Sequence, residues 1–271
     1  MANNIKLSVV IPSYKDPMLH KTIDSLLKNS GLGDQLEIIP VLDGYWPETP
    51  IIEDDRVRVV HLGSNGGMRN AINSGVRVAR GEFIMRLDEH CTFGDRYDLI
   101  LTSQCEPNQM MTATRYYLDP IKWEVMDLPP MQHEKLVIQN VGEGVQKFAG
   151  VRWRSRDEEM KDVPISETLA MQGSCWITPR KWFNEVIGEL QTEGYGPLIQ
   201  DSVEATFKTW KAGGKLMLNK NTWFAHKHRS FARTHNNGTK ETPANCDAGY
   251  TYALSQWRDY YEKEVKPKWN I

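Results

Sequence analysis

The sequence predicts an α/β protein: a mostly parallel, twisted sheet flanked by helices and folded as one domain. Three observations predict it. Apolar, β-branched runs alternate with amphipathic segments through the first ninety residues, the links between them are short, and polar and glycine residues gather where the apolar runs stop.

The elements follow in order. Ile5–Ile11 is an apolar run of buried-strand type closed by Pro12-Ser13. Met18–Lys28 sets Leu19, Ile23, Leu26 and Leu27 on one helical face. Leu36–Leu42 closes with Asp43-Gly44, and Val57–Leu62 closes with Gly63. Asn65-Gly66-Gly67 opens a helix over Met68–Ala79, and a fourth run, Phe83–Leu87, ends at Asp88. In such sheets ligands sit beyond the carboxyl ends of the strands, which is where these polar residues fall. From Asp119 to Pro164 the periodicity weakens, and prolines, glycines and charges predict loops and short strands forming a lid or acceptor-side segment. Order returns with Ala170–Thr178, helices from Pro179 to about Leu190 and from Asp201 to Ala212, a strand at Lys215–Leu218 and a closing helix over Asp247–Val265. The natural division falls near residue 118, with a ligand-binding half at 1–118 and a second half at 119–271.

Composition narrows the classes. With 271 residues the chain can bury a sizeable core, and a hydrophobic share of 40% beside 25% charged residues is globular. A net charge of −2 makes no global case for nucleic acid or a membrane surface. No apolar leader or long apolar stretch is present, and Cys91, Cys105, Cys175 and Cys246 form no CxxC pair, so a cytoplasmic protein with reduced thiols is expected.

Four segments carry chemistry. In Leu87–Phe93, LDEHCTF, Asp88 and His90 share a face if the strand continues, and carboxylate with imidazole suits Mn2+ or Mg2+. Read alone, the triplet is equally a turn-capping aspartate beside a surface histidine. His226, in WFAHKHR, offers a third ligand from a distant segment. In His61–Gly75, Gly66 and Gly67 precede a helix whose first amides could face phosphate, with Arg69 as a fixed positive charge; a plain turn explains the same glycines. At Gln200–Glu204, Asp201 and Glu204 read either as a capping pair or as catalytic acids facing sugar or acceptor. The segment after the first strand, PSYKDP, lacks the glycines of a dinucleotide-binding fingerprint, which argues against a dehydrogenase.

In order and company these segments resemble the GT-A glycosyltransferases, and within them the catalytic domain of the polypeptide N-acetylgalactosaminyltransferases. LSVVIPSYKD followed by LEIIPVLDG is similar to the family-2 opening, where an aspartate ending the second strand contacts the nucleotide base; here that is Asp43, with Pro12, Ser13, Tyr14 and Gly67 on the donor side. RLDEHCTF resembles the family's Asp-x-His metal motif, so Asp88 and His90 carry over. MQGSCWITPRKWF is similar to the segment lining the donor sugar and points to Gly173 and Ser174. AHKHR matches Gly-His-x-x-Arg, which makes His226 the third metal ligand and Arg229 a diphosphate contact. The family's Trp-Gly-Gly-Glu-Asn stretch is replaced by Tyr195–Asp201, so sugar and acceptor do not carry over.

The resemblance implies a single catalytic domain that moves a HexNAc or hexose from a UDP-sugar to a hydroxyl, with Mn2+ or Mg2+ as cofactor and with retention. Alternatives are an inverting family-2 enzyme building a bacterial surface glycan, with Asp201 as base, or a nucleotide-sugar-binding module without activity. A sugar-nucleotide nucleotidyltransferase shares the sheet, but its glycine-rich, arginine-bearing opening is missing at residues 9–18. Between Ala205 and Lys240 stand eight Lys/Arg and no acid. That stretch is either a solvated basic face or a track for a polyanionic acceptor such as hydroxymethylated DNA, in a bacterial cell or phage-infected host.

Overall fold

The computed structural model describes residues 4–142, 144–228 and 243–271. Its first half runs β1 (Leu7–Ser13), α1 (Leu19–Asn29), β2 (Leu36–Asp43), β3 (Val60–Leu62), α2 (Met68–Val78) and β4 (Phe83–Leu87). Next come β5 (Cys91–Phe93), α3 (Tyr97–Gln104), β6 (Gln109–Asp119), β7 (Glu124–Val125), β8 (Glu134–Gly142) and β9 (Val145–Arg152). The chain closes with α4 (Arg154–Glu159), β10 (Ile165–Glu167), β11 (Cys175–Pro179), α5 (Arg180–Trp182), α6 (Asp201–Lys211), β12 (Lys215–His226), α7 (Pro243–Tyr260) and α8 (Lys266–Trp269).

One sheet takes strands from both the 1–118 and 119–271 segments, in the order β10-β12-β6-β11-β4-β1-β2-β3. Strands β3, β2, β1 and β4 are parallel neighbours, as are β6 and β12. β11 joins the two groups by running antiparallel to both β4 and β6. The alternation of side chains across β1 decides what each face holds. Leu7, Val9 and Ile11 pack with Leu19, Ile23 and Leu26 of α1, whereas Val10 packs with Ala71, Ile72 and Val76 of α2. Both faces are therefore covered, which is why β1 and β2 contain no exposed position.

The structure departs from the expected elements in several places. The run Val57–Leu62 is a strand only from Val60, with Val57 making a lone bridge to Ile38. The segment expected as loops and short strands holds the β8–β9 hairpin, a separate two-stranded sheet that buries Leu136 and Phe148 against the α2 face. Its alternation is diluted because only part of one face is covered. The helix expected to reach Leu190 is α5 followed by a π-turn over Phe183–Ile187, stopped by Gly188 at φ +63°. The strand expected at Lys215–Leu218 continues to His226 through an irregularity between Asn219 and Trp223, and α7 starts at Pro243.

The residues between β2 and α2 correct three site expectations. The Asp43 carboxylate is buried and accepts the Gly66 amide at 2.7 Å and the Gly67 amide at 2.8 Å, so both its oxygens bind the loop rather than facing outward to a base. Burial raises its pKa against these two hydrogen bonds. The Arg69 amide donates to the Pro197 carbonyl at 3.0 Å. The α2 N-terminus that was expected to face phosphate is thus filled by an internal carboxylate and a carbonyl. Gly67, at φ +87°, fits beneath Pro197: a Cβ there would lie 2.3 Å from Pro197 Cβ.

Arg69, expected to face a diphosphate, and Glu204, expected as a catalytic acid, are instead turned toward each other. Their side chains form a fully buried ion pair that ties α2 to α6. The guanidinium also donates to the carbonyls of Ile199 and Gln191, each at 2.8 Å, and lies 4.2 Å from the centre of the Tyr195 ring. Glu204 takes a second cation from Lys208 at 2.7 Å. A cation and an anion this deep need each other.

Two substitutions check this account. Gly67→Ala adds both a clash and left-handed strain, and should lower stability by about 2–4 kcal/mol; an unchanged denaturant midpoint would refute the close contact with Pro197. Arg69→Met leaves Glu204 buried beside a single half-exposed lysine and should cost about 3–5 kcal/mol. A variant of normal stability but impaired turnover would restore Arg69 to the active site.

Candidate active site

The site forms where β4 ends. The Asp88 amide donates to the Ser174 carbonyl at 2.8 Å, and the chain then bends through Glu89 and His90 before β5 begins. The strand does not continue through the triplet, so Asp88 and His90 are not brought together by strand alternation as expected. The bend does this, and Thr22 pins it: its hydroxyl donates to the Glu89 carbonyl at 3.0 Å and accepts the Cys91 amide at 3.0 Å. Glu89 points the other way, where its carboxylate accepts the Tyr14 amide at 3.1 Å.

His226 arrives from the far end of the sequence. The last residues of β12 pair antiparallel with β5, Phe224 opposite Phe93 and His226 opposite Cys91, which sets His226 beside the bend. His226 Nε2 lies 3.1 Å from Asp88 Oδ2 and 3.1 Å from His90 Nε2, and His90 Nε2 is 3.7 Å from Asp88 Oδ2. Adjacent ligands of an octahedral divalent ion bound at about 2.1 Å stand roughly 3 Å apart, so the three atoms suit one face of such an ion. His90 Nδ1 meets Asp16 Oδ2 at 3.0 Å. A carboxylate there draws the ring proton to Nδ1 and leaves the Nε2 lone pair for a metal. Burial pushes the His226 imidazole down to about 4 against the pull of Asp88, which keeps the ring neutral. Burial by itself would raise Asp88; Arg86, a hydrogen bond from His226 and the two histidines instead hold its carboxyl well below the usual range. Two ring nitrogens and a carboxylate oxygen converging within 3.7 Å of one another form a donor set that a divalent cation fits.

The triad opens on a cavity of about 420 Å³. Gly173, Ser174 and Asp201 line it, with Arg86, Arg115, Gln172 and Gln200. Ser13, Tyr14 and Asp43 do not line it: Ser13 bonds the Tyr45 hydroxyl and Tyr14 packs edge-on against Tyr45, beside buried Pro12. Arg229 lies outside the described residues.

The two cavity arginines escaped the sequence reading. Arg86 Nη1 donates to Asp88 Oδ1 at 2.6 Å, and Arg115 pairs with the buried Glu134 at 3.4 Å. Glu134 in turn accepts from Gln172 Nε2 at 2.7 and 2.9 Å, and burial raises its pKa. For Arg86 a signal existed: it lies two residues before Asp88 on a buried strand, so period-two alternation gives both the same face. Arg115 had none, since a lone arginine in a β-run carries no address.

Two cations of the basic stretch bind within the fold. Lys208 is tied to Glu204 and to the Ile187 carbonyl, and Lys220 donates to the Lys161 carbonyl at 3.0 Å. Arg229, Arg233 and Lys240 lie outside the described residues. Among the described residues no helix is long and apolar enough to cross a membrane.

Comparison with known proteins agrees with the fold. Residues 8–187, well over half of the chain, match the model of glycosyl transferase family 2. An uncharacterised glycosyltransferase of Bacillus subtilis, EpsJ, is 35% identical over 111 residues, 38% of this chain and 31% of its own. Polypeptide N-acetylgalactosaminyltransferase 4 of mouse is 24% identical over 238 residues, 83% of this chain and 41% of its own. The chain therefore spans well under two thirds of these relatives. A crystal structure of GalNAc-T7 with UDP, GalNAc and Mn2+ superimposes over 97% of this chain and 51% of that one, with a TM-score of 0.69 at 17% identity. The chain belongs to glycosyl transferase family 2, with a GT-A fold like that of the polypeptide N-acetylgalactosaminyltransferases.

Proposed function

We propose that the protein transfers a sugar from a UDP-sugar to a hydroxyl acceptor, with Mn2+ or Mg2+ held by Asp88, His90 and His226. The observation that carries this is the convergence of one carboxylate oxygen and two imidazole nitrogens at the mouth of a cavity lined by arginines, Gly173 and Asp201. A neighbour of the same fold crystallised with UDP and Mn2+ supports the choice of donor and ion. Bound there, the cation would offset the charge of the departing diphosphate.

The chain's own residues hold and orient. The bond from the Asp88 amide to the Ser174 carbonyl couples the metal ligand to the loop that faces the sugar. Asp16 fixes the ring of His90. Asp201, with a buried carboxylate on the cavity wall, can accept a hydroxyl of sugar or acceptor. Under retention it positions the sugar and no base is needed; under inversion it is the base. The anomer of the sugar freed by slow donor hydrolysis, read by NMR, decides between the two. As for the acceptor, Lys208 and Lys220 serve the fold, so the hydroxymethylated-DNA reading rests on the remaining cations of the 205–240 stretch. A steep loss of activity with salt on DNA, absent with simple acceptors, supports it, and salt-independent activity defeats it.

Incubation with Mn2+ and a panel of UDP-sugars should release UDP slowly with one of them. His226→Ala should abolish that release, and full activity in the variant would refute the three-residue site. Asp16→Asn should keep the fold yet weaken Mn2+ binding by roughly 10–100-fold, measured by titration calorimetry. Unaltered affinity would show that Asp16 does not orient His90.

A further inference from the structure

Arg86 is a buried cation with little to bind. Its side chain is 2% exposed and lines the cavity. Of its five N–H groups, one bond to Asp88 Oδ1 is strong. Nη2 meets only the thioether of Met68, at 2.8 Å, and sulfur is a weak acceptor. Nε faces Asp201 Oδ2 at 3.4 Å, without hydrogen-bond geometry, and neither atom has a hydrogen bond among the described residues. Arg69, by contrast, has a carboxylate, two carbonyls and an aromatic ring, and of its guanidinium nitrogens Nη2 alone has no hydrogen bond among the described residues. A buried guanidinium donor gains from any acceptor that reaches it, and the cavity gives one access to Arg86.

We infer that Arg86 is a diphosphate-binding residue, its free Nε–H and Nη2–H groups taking oxygens of the donor's diphosphate between Asp88 and Asp201. Position and charge select that group. Arg86 holds Oδ1 of the carboxylate whose Oδ2 faces the two histidines, so its guanidinium stands beside the cation site, where the diphosphate must also lie. A guanidinium fork matches phosphate oxygens and gains far more from them than from a neutral sugar hydroxyl. Arg86 thereby takes the part first expected of Arg69, which is spent on Glu204. This inference rests on the reading of the site as one for a nucleoside diphosphate sugar.

The test is calorimetry on the full chain, with Mn2+ alone, then UDP and UMP in saturating Mn2+, for the wild type, Arg86→Met and Arg86→Lys. The preference for UDP over UMP should fall at least about tenfold in Arg86→Met and partly recover in Arg86→Lys, while affinity for Mn2+ alone stays within about threefold. If Arg86→Met does not fold, Arg86→Lys carries the comparison, since it keeps the charge and loses the fork. An unchanged preference for UDP in the folded variants, or a loss of UDP binding matched by an equal loss of Mn2+ binding, overturns the inference. A wild type that binds neither nucleotide defeats the functional reading itself, whereas a wild type that binds UDP beside unaffected variants defeats only the role of Arg86.

Discussion

The site depends on one short ladder, the antiparallel pairing of β5 with the end of β12. Three residue pairs bring His226 against a bend 136 positions earlier in the chain. The pairing is possible because the last residues of β12, Phe224 to His226, pair with β6 and with β5 at once. The irregularity between Asn219 and Trp223 lets one strand keep both its register with β6 and its grip on β5. Remove that ladder and Asp88 with His90 would be a polar turn, which is all the triplet by itself demands.

Charges buried around this edge fall into two kinds. Arg69 with Glu204, and Asp43 with the amides of Gly66 and Gly67, are closed in by protein partners and hold α2 to its neighbours. Arg86 Nε, Asp201 Oδ2 and His226 Nδ1 have no hydrogen bond among the described residues, and all three residues line one cavity. Burial is equally deep in both groups, so depth does not separate structural ions from functional ones. Access to the cavity does, because a polar group that borders it can gain a partner that closed packing denies to Arg69 Nη2.

Much of the fold was legible because β1, β2 and β4 are short apolar runs that end in polar residues, and α1 and α2 carry single apolar stripes. The β8–β9 hairpin was not, since it lies outside the main sheet and its alternation is shared between a covered and an open face. Within the site, Asp88, His90, His226, Gly173, Ser174 and Asp201 were legible as local motifs. Arg69 and Glu204 misled because each sits in a helix-opening segment that suits a ligand contact as well as a cap; only the distance between α2 and α6 in space tells which.

The sequence by itself determined the alternation of strands and helices, the strand ends that carry polar residues, and the chemical types gathered there, because these follow from periodicity and residue chemistry over a few positions. Only the tertiary structure decided which of those residues meet. It set Arg69 against Glu204 and Arg86 between Asp88 and Asp201, and it closed the Asp88, His90 and His226 triangle. The reason is physical: a buried charge takes its role from the partner that reaches it, and partners more than a hundred residues apart are chosen by strand order and helix packing.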